Sequence, residues 1–159
     1  MTSVIEFSST SDPVIVVTRL FDAPRDLVWQ VLIDPAHVAQ WYGGPGFSSP
    51  VCEMDVRPGG AWRHVMQAPN GMRFSINSVF LEVVPPERLV WETKADENRQ
   101  PAPPTAVNTV TLEVKGAQTR WTLVARFNSI AERDVSASMG FGNMISMGAE
   151  RMADLLKTL

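Results

Sequence analysis

The chain holds a single cysteine, Cys52, in 159 residues, so no disulfide can form within it. Its two histidines, His37 and His64, fall on separate predicted elements, away from the ligand spacing of a structural zinc site. Positive charge is sparse as well. Fourteen Lys and Arg stand against seventeen Asp and Glu, a net charge of −3, and the basic residues are scattered. That argues against nucleic acid as a partner, because phosphate contacts need clustered cations. No apolar run reaches the roughly 20 residues that span a bilayer, so no membrane span is expected. The first residues, Met1-Thr2-Ser3-Val4-Ile5-Glu6, lack a basic region followed by an apolar stretch, which makes a cytoplasmic location the default expectation. Also missing are a serine-centred nucleophile elbow, a phosphate-cradling loop and a dinucleotide fingerprint. Gly43-Gly44-Pro45-Gly46 is broken by proline and follows a helix rather than a strand. General hydrolytic, redox and phosphoryl-transfer activities are therefore not expected, nor is any cofactor or metal.

What is present suits one core. The 45% hydrophobic content fills a single domain, read as 13–159 after a short extension, 1–12. A β-branched run, Val14 to Thr18, leads into Phe21-Asp22-Ala23-Pro24, where Asp22 is placed to cap a helix carrying Leu27, Val28, Val31 and Leu32. Asp34-Pro35 stops that helix and starts a second, which carries Val38 and Trp41 and ends at Tyr42-Gly43-Gly44. A strand from Phe47 to Val56 follows. Cys52, Met54 and Val56 share its apolar phase, so Cys52 reads as a small core residue rather than a reactive thiol. Glu53, Asp55 and Arg63 take the opposite phase and read as a solvated sheet face, not a paired-carboxylate site.

Further alternating segments form a meander. Trp62, His64 and Met66 share one face; Met72 to Val84 is a long strand; Leu89 and Trp91 lie together on the next. Asp96 to Thr105, charged and then proline-rich, reads as a mobile loop. Val110, Leu112 and Val114, then Trp121, Leu123, Ala125 and Phe127, complete a half-buried antiparallel sheet. Ser129 and Glu132 have capping-box spacing. From there one helix, Glu132 to Lys157, is expected, with an apolar stripe of Val135, Met139, Gly142, Ile145, Ala149, Met152 and Leu156. Gly140, Gly142 and Gly148 within it call for close backbone approach, cavity space or a local kink.

The segments FDAPRDLVWQVLIDPAHVAQWYGGPGF, CEMDVRPGGAWRHVM and VVPPERLVWE, in that order, resemble the START-like superfamily. Within it, the chain is similar to the family of the activator of the heat-shock chaperone ATPase, homologue-1-like. The resemblance implies an α+β helix-grip fold: a curved antiparallel sheet of about six to seven strands wrapped around a long carboxy-terminal helix, with two short helices after the first strand. It also implies a cavity between sheet and helix, and it raises a chaperone as a partner. Fold likeness by itself assigns no reaction.

Chemistry must then come from inward-facing groups. His64 would point an imidazole into the interior from a phase otherwise held by Trp62 and Met66, as a lining or core group rather than a catalytic one. Asn143 is a second hydrogen-bonding candidate. Trp41, Phe47, Phe74, Trp91, Met139 and Met147 offer aromatic and deformable thioether surface, most of it ordinary core. The preferred reading is a binding module for a small apolar or aromatic molecule. The alternatives are a polyketide cyclase or aromatase-like enzyme assisted by His64 or Asn143, and a chaperone-regulating interaction module. The aromatic-rich connection from Trp41 to Phe47, taken as exposed, leaves a homodimer open.

Overall fold

Every strand that the alternating segments foretell forms in the computed structural model, which describes residues 4–9, 11–95 and 103–159. The chain runs β1 (Val4–Ser9), β2 (Asp12–Phe21), α1 (Arg25–Ile33), α2 (Pro35–Trp41) and β3 (Ser48–Met54). It continues through β4 (Ala61–Gln67), β5 (Arg73–Val84), β6 (Arg88–Thr93), β7 (Val107–Lys115), β8 (Gln118–Arg126), α3 (Ile130–Ser138) and α4 (Phe141–Leu156). The strands make one curved, unclosed antiparallel sheet in the order β1-β2-β8-β7-β6-β5-β4-β3, with β1 and β3 at its edges. The eighth strand, beyond the six or seven expected, is β1. It pairs with β2 from Val4↔Thr18 to Ser9↔Asp12.

Alternation along each strand fills the concave face. Ile15, Val17 and Phe21 of β2, Val110 and Leu112 of β7, and Trp121, Leu123 and Ala125 of β8 are buried there with Ala149, Met152 and Leu156 of α4. Each of the larger side chains among them contributes roughly 1.5–3 kcal/mol on leaving water, the alanines less. Along this seam α4 closes the core. Arg19 of β2 also reaches Glu150 of α4 at 3.0 Å.

Three expectations need correction. Asp22 does not cap α1: Pro24 occupies the N-cap position, and no side chain accepts a bond there. Asp34 does cap α2, accepting from the Ala36 amide at 2.9 Å. The final helix is two helices, because Gly140 adopts φ +87° between α3 and α4. A break at one left-handed residue frees the phase of α3 from that of α4, so Val135 and Met139 are 47% and 58% exposed rather than part of the buried stripe. The buried face of α3 instead carries Arg133 and Ser136, and Arg133 donates to the Asp12 carbonyl at 2.8 Å. Ser129 caps α3 as its spacing predicts, accepting from the Glu132 amide at 3.1 Å.

The glycines explain the close approaches. A Cβ at Gly142 would sit 2.9 Å from the Ile5 side chain, and one at Gly148 would lie 3.5 Å from the Trp41 carbonyl. Gly142 thereby lets α4 pack tightly on β1, whereas the contacts that a Cβ would make at Gly148 are of ordinary van der Waals length. The expected loop Asp96 to Thr105 falls largely, at 96–102, outside the described residues. No helix among the described residues is long and apolar enough to cross a membrane.

Candidate functional site

The site is built on two neighbouring strands and the loop that covers them. On β4, Trp62 and His64 share the inward phase and are 4% and 1% exposed. On the edge strand β3, alternation is interrupted by a bulge between Ser48 and Val51. One extra residue inverts the inward phase on either side of it, so Ser49 and Cys52 can both face His64. Ser49 Oγ lies 2.8 Å from His64 Nε2, and Cys52 pairs with His64 across the strands.

An indole N–H can only donate, and the Trp62 Nε1–H donates to His64 Nδ1 at 3.2 Å. Nδ1 is therefore the acceptor nitrogen. Burial lowers the His64 pKa to about 4, so the ring is neutral near pH 7 and its one proton sits on Nε2. His64 consequently donates to Ser49 Oγ. This is the reverse of a serine–histidine catalytic pair, in which the imidazole accepts the hydroxyl proton.

Tyr42, the residue just past α2, lies over the imidazole with ring centroids 4.4 Å apart. Burial, reinforced by the neighbouring Cys52 thiol, pushes its phenol up to about 12. Burial likewise raises Cys52 to about 11, opposed by the Trp62 indole N–H, so the thiol stays protonated. Among the described residues the Tyr42 hydroxyl has no hydrogen-bond partner. Aromatic surface completes the setting: Trp62 stacks on Phe80 at 5.9 Å and meets Trp91 edge-on at 5.4 Å.

Tyr42 is held in place from α4. Arg151 Nη1 donates to the carbonyls of Tyr42, Gly43 and Gly44 at 3.0, 3.2 and 3.1 Å, and Nη2 donates to that of Gln40. One guanidinium thus satisfies carbonyls that the end of α2 leaves without helical partners. The Gly43–Gly44 segment is buried between thioethers. A Cβ at Gly43 would meet Met66 Sδ at 3.1 Å, and one at Gly44 would meet Met147 Cε at 3.2 Å and Met144 Sδ at 3.8 Å.

Of the residues singled out in the sequence, Trp62, His64 and Trp91 come together directly. Trp41 joins through Tyr42 at 5.7 Å, and its indole N–H is spent on the Val31 carbonyl. Phe47 packs on Gly43; Phe74, half-buried, pairs with Met66 across β5 and β4. Met147 lies on Gly44 and is 38% exposed. Asn143 is exposed on the first turn of α4, and Met139 lies beyond the Gly140 break, outside the cluster. The Trp41–Phe47 connection is mostly covered, with Gly43 and Gly44 buried, and so is not the exposed segment expected. Sequence reasoning missed Tyr42, Ser49 and Arg151. Nothing in the sequence pattern marked them, and the segment that holds Tyr42 reads as an exposed connection. Two open surface concavities, of about 250 and 480 Å³, lie elsewhere and touch neither Trp62 nor His64. Among the described residues no group of three or more His, Cys, Asp or Glu is placed to hold a metal ion.

The family model described as Activator of Hsp90 ATPase homolog 1-like protein matches residues 22–159. The chain belongs to that family. A crystallised protein of Nitrosomonas europaea is similar at 30% identity, over 96% of this chain and 97% of its own, with a TM-score of 0.84. A Mycobacterium smegmatis crystal structure shares the fold at 23% identity and TM-score 0.87, covering 99% of each chain. A family member of Silicibacter pomeroyi shares it at 19% identity and TM-score 0.74, over 91% of this chain and 98% of its own. No protein of curated function matches the chain in sequence. Membership of the activator-homologue family agrees with the START-like helix-grip architecture and assigns no ligand.

Proposed function

We propose that the protein is a non-catalytic binding module that takes a small apolar or aromatic molecule on the concave face beneath α4 and the Tyr42–Phe47 loop. The observation that carries this reading is the make-up of that spot. Aromatic rings surround a buried hydrogen-bonded centre, and the cover over it consists of glycine and methionine thioethers. Methionine is unbranched and polarizable, so Met66, Met144 and Met147 can yield to an apolar guest at low cost. Polar groups few in number, set in aromatic walls, suit recognition of such a ligand.

The cyclase-like alternative draws less support, because it needs a free base. Both imidazole nitrogens of His64 are engaged, one accepting from Trp62 and the other bonded to Ser49. The test is titration with Nile red, a neutral fluorophore that brightens in apolar surroundings. A stoichiometric rise with micromolar Kd, on the order of −8 kcal/mol, is expected. Met147→Glu, at a half-exposed position where the fold survives, should weaken binding about tenfold or more by setting a carboxylate in the cover. Absence of saturable binding by the parent protein would overturn the proposal.

A further inference from the structure

The direction of the Trp62–His64–Ser49 chain selects among ligands. Trp62 can only donate, which fixes His64 as donor to Ser49, and a hydroxyl that accepts from His64 keeps its own proton free. Among the described residues Ser49 Oγ has no further hydrogen-bond partner. We infer that the ligand is a neutral apolar molecule presenting a carbonyl oxygen, which accepts the Ser49 hydroxyl proton.

This inference rests on the binding reading above and deepens it. An apolar guest without an acceptor, once seated, would strip water from the Ser49 hydroxyl and leave its proton unbonded, a cost that an acceptor oxygen avoids. A guest offering only a donor meets the same cost, since it can use a serine lone pair but not the proton. Anionic acceptors are disfavoured for a separate reason. The cation that contacts this loop, Arg151, directs its N–H groups at four backbone carbonyls, and Arg19 is paired with Glu150. A carboxylate would enter an apolar setting without a counter-charge. The Tyr42 hydroxyl, also without a described partner, is a second donor beside the same imidazole face.

Three probes of one shape separate these terms: 2-acetylnaphthalene, 2-ethylnaphthalene and 2-naphthoate. The ketone is expected to bind about tenfold more tightly than the hydrocarbon, with the carboxylate weakest. Ser49→Ala removes both the bond to the ketone and the unbonded proton under the hydrocarbon, so the two should bind alike, the hydrocarbon more tightly than to the parent and the ketone no more tightly. Trp62→Phe supplies an independent check that leaves Ser49 in place. Without the indole donor, His64 can place its proton on Nδ1 and accept from Ser49, so the ketone-to-hydrocarbon ratio should fall towards one even where both affinities drop. Nitrogen-15 NMR of the imidazole reads the direction without any ligand: a pyrrole-type Nε2 and a pyridine-type Nδ1 are expected in the parent, and the opposite tautomer overturns the inference. Equal affinity for ketone and hydrocarbon, unaltered by Ser49→Ala, overturns it while leaving the binding module standing. Failure of all three probes, together with Nile red, removes both.

Discussion

His64 is a titratable group sealed where its charged form has no support. Its folded pKa, about 4, lies below the ordinary 6.5. Between those values the unfolded chain takes up a proton that the folded chain refuses, so this contribution is fully present above pH 6.5 and is lost as pH falls towards 4. The loss amounts to about 3 kcal/mol from pH 7 to pH 4. His64→Gln tests it, because a glutamine amide can accept from Trp62 and donate to Ser49 yet does not titrate. In urea unfolding at the two pH values, the variant should show a smaller acid loss than the parent by about that amount. Equal losses would place the acid sensitivity elsewhere. His64 itself was legible from strand phase, since Trp62, His64 and Met66 alternate with exposed or half-buried neighbours. Its partner was not. A strict period of two carried back from Cys52 and Met54 turns Ser49 outward, and only the bulge before Val51 returns it.

Among the elements, α4 was readable because spacing of three and four residues survives packing: Ala149, Met152 and Leu156 are buried as that spacing requires. The same stripe extended to Val135 and Met139 failed at one backbone angle, at Gly140. Glycine in a helical pattern carries two opposite meanings, a break or a close approach, and composition does not separate them. Substitution does. At Gly148 an added Cβ meets ordinary contacts of 3.5 Å or more, so Gly148→Ala should gain up to about 1 kcal/mol of helix propensity. At Gly140 the left-handed φ penalises any Cβ, so Gly140→Ala should cost about 1–2 kcal/mol. The two variants should shift the thermal midpoint in opposite directions, by a few degrees each. A shared sign would contradict the break at Gly140. Tyr42 and Arg151 lay beyond such reasoning. A loop tyrosine has no period, and a helix arginine aimed at four carbonyls looks, in sequence, like any solvated cation.

For the whole molecule, the decisive relation is between an open sheet and the helix that closes it. Among the described residues β1 and β3 have no partner strand at their outer edges, so the sheet gains no closure from itself and its concave face depends on α4 for cover. Met152 is wholly buried in the core cluster that also holds Ala149, Leu156 and the inward residues of β2, β7 and β8. Lys157, one position past the end of α4, is exposed and lies 3.9 Å from Asp154. Met152→Asp must either bury an unpaired carboxylate or lift α4 from the sheet, and should cost about 4 kcal/mol, a large share of a total stability of about 5–15 kcal/mol. Lys157→Asp sits in water near a helix end and should cost less than about 1 kcal/mol. Deletion from Gly148 onward removes Ala149, Met152 and Leu156 together and should leave no cooperative unfolding transition. Comparable midpoints for Met152→Asp and Lys157→Asp would mean that α4 decorates the sheet instead of closing it. The covered site around His64 would then lose its roof, and both the binding reading and the carbonyl preference would fall with it.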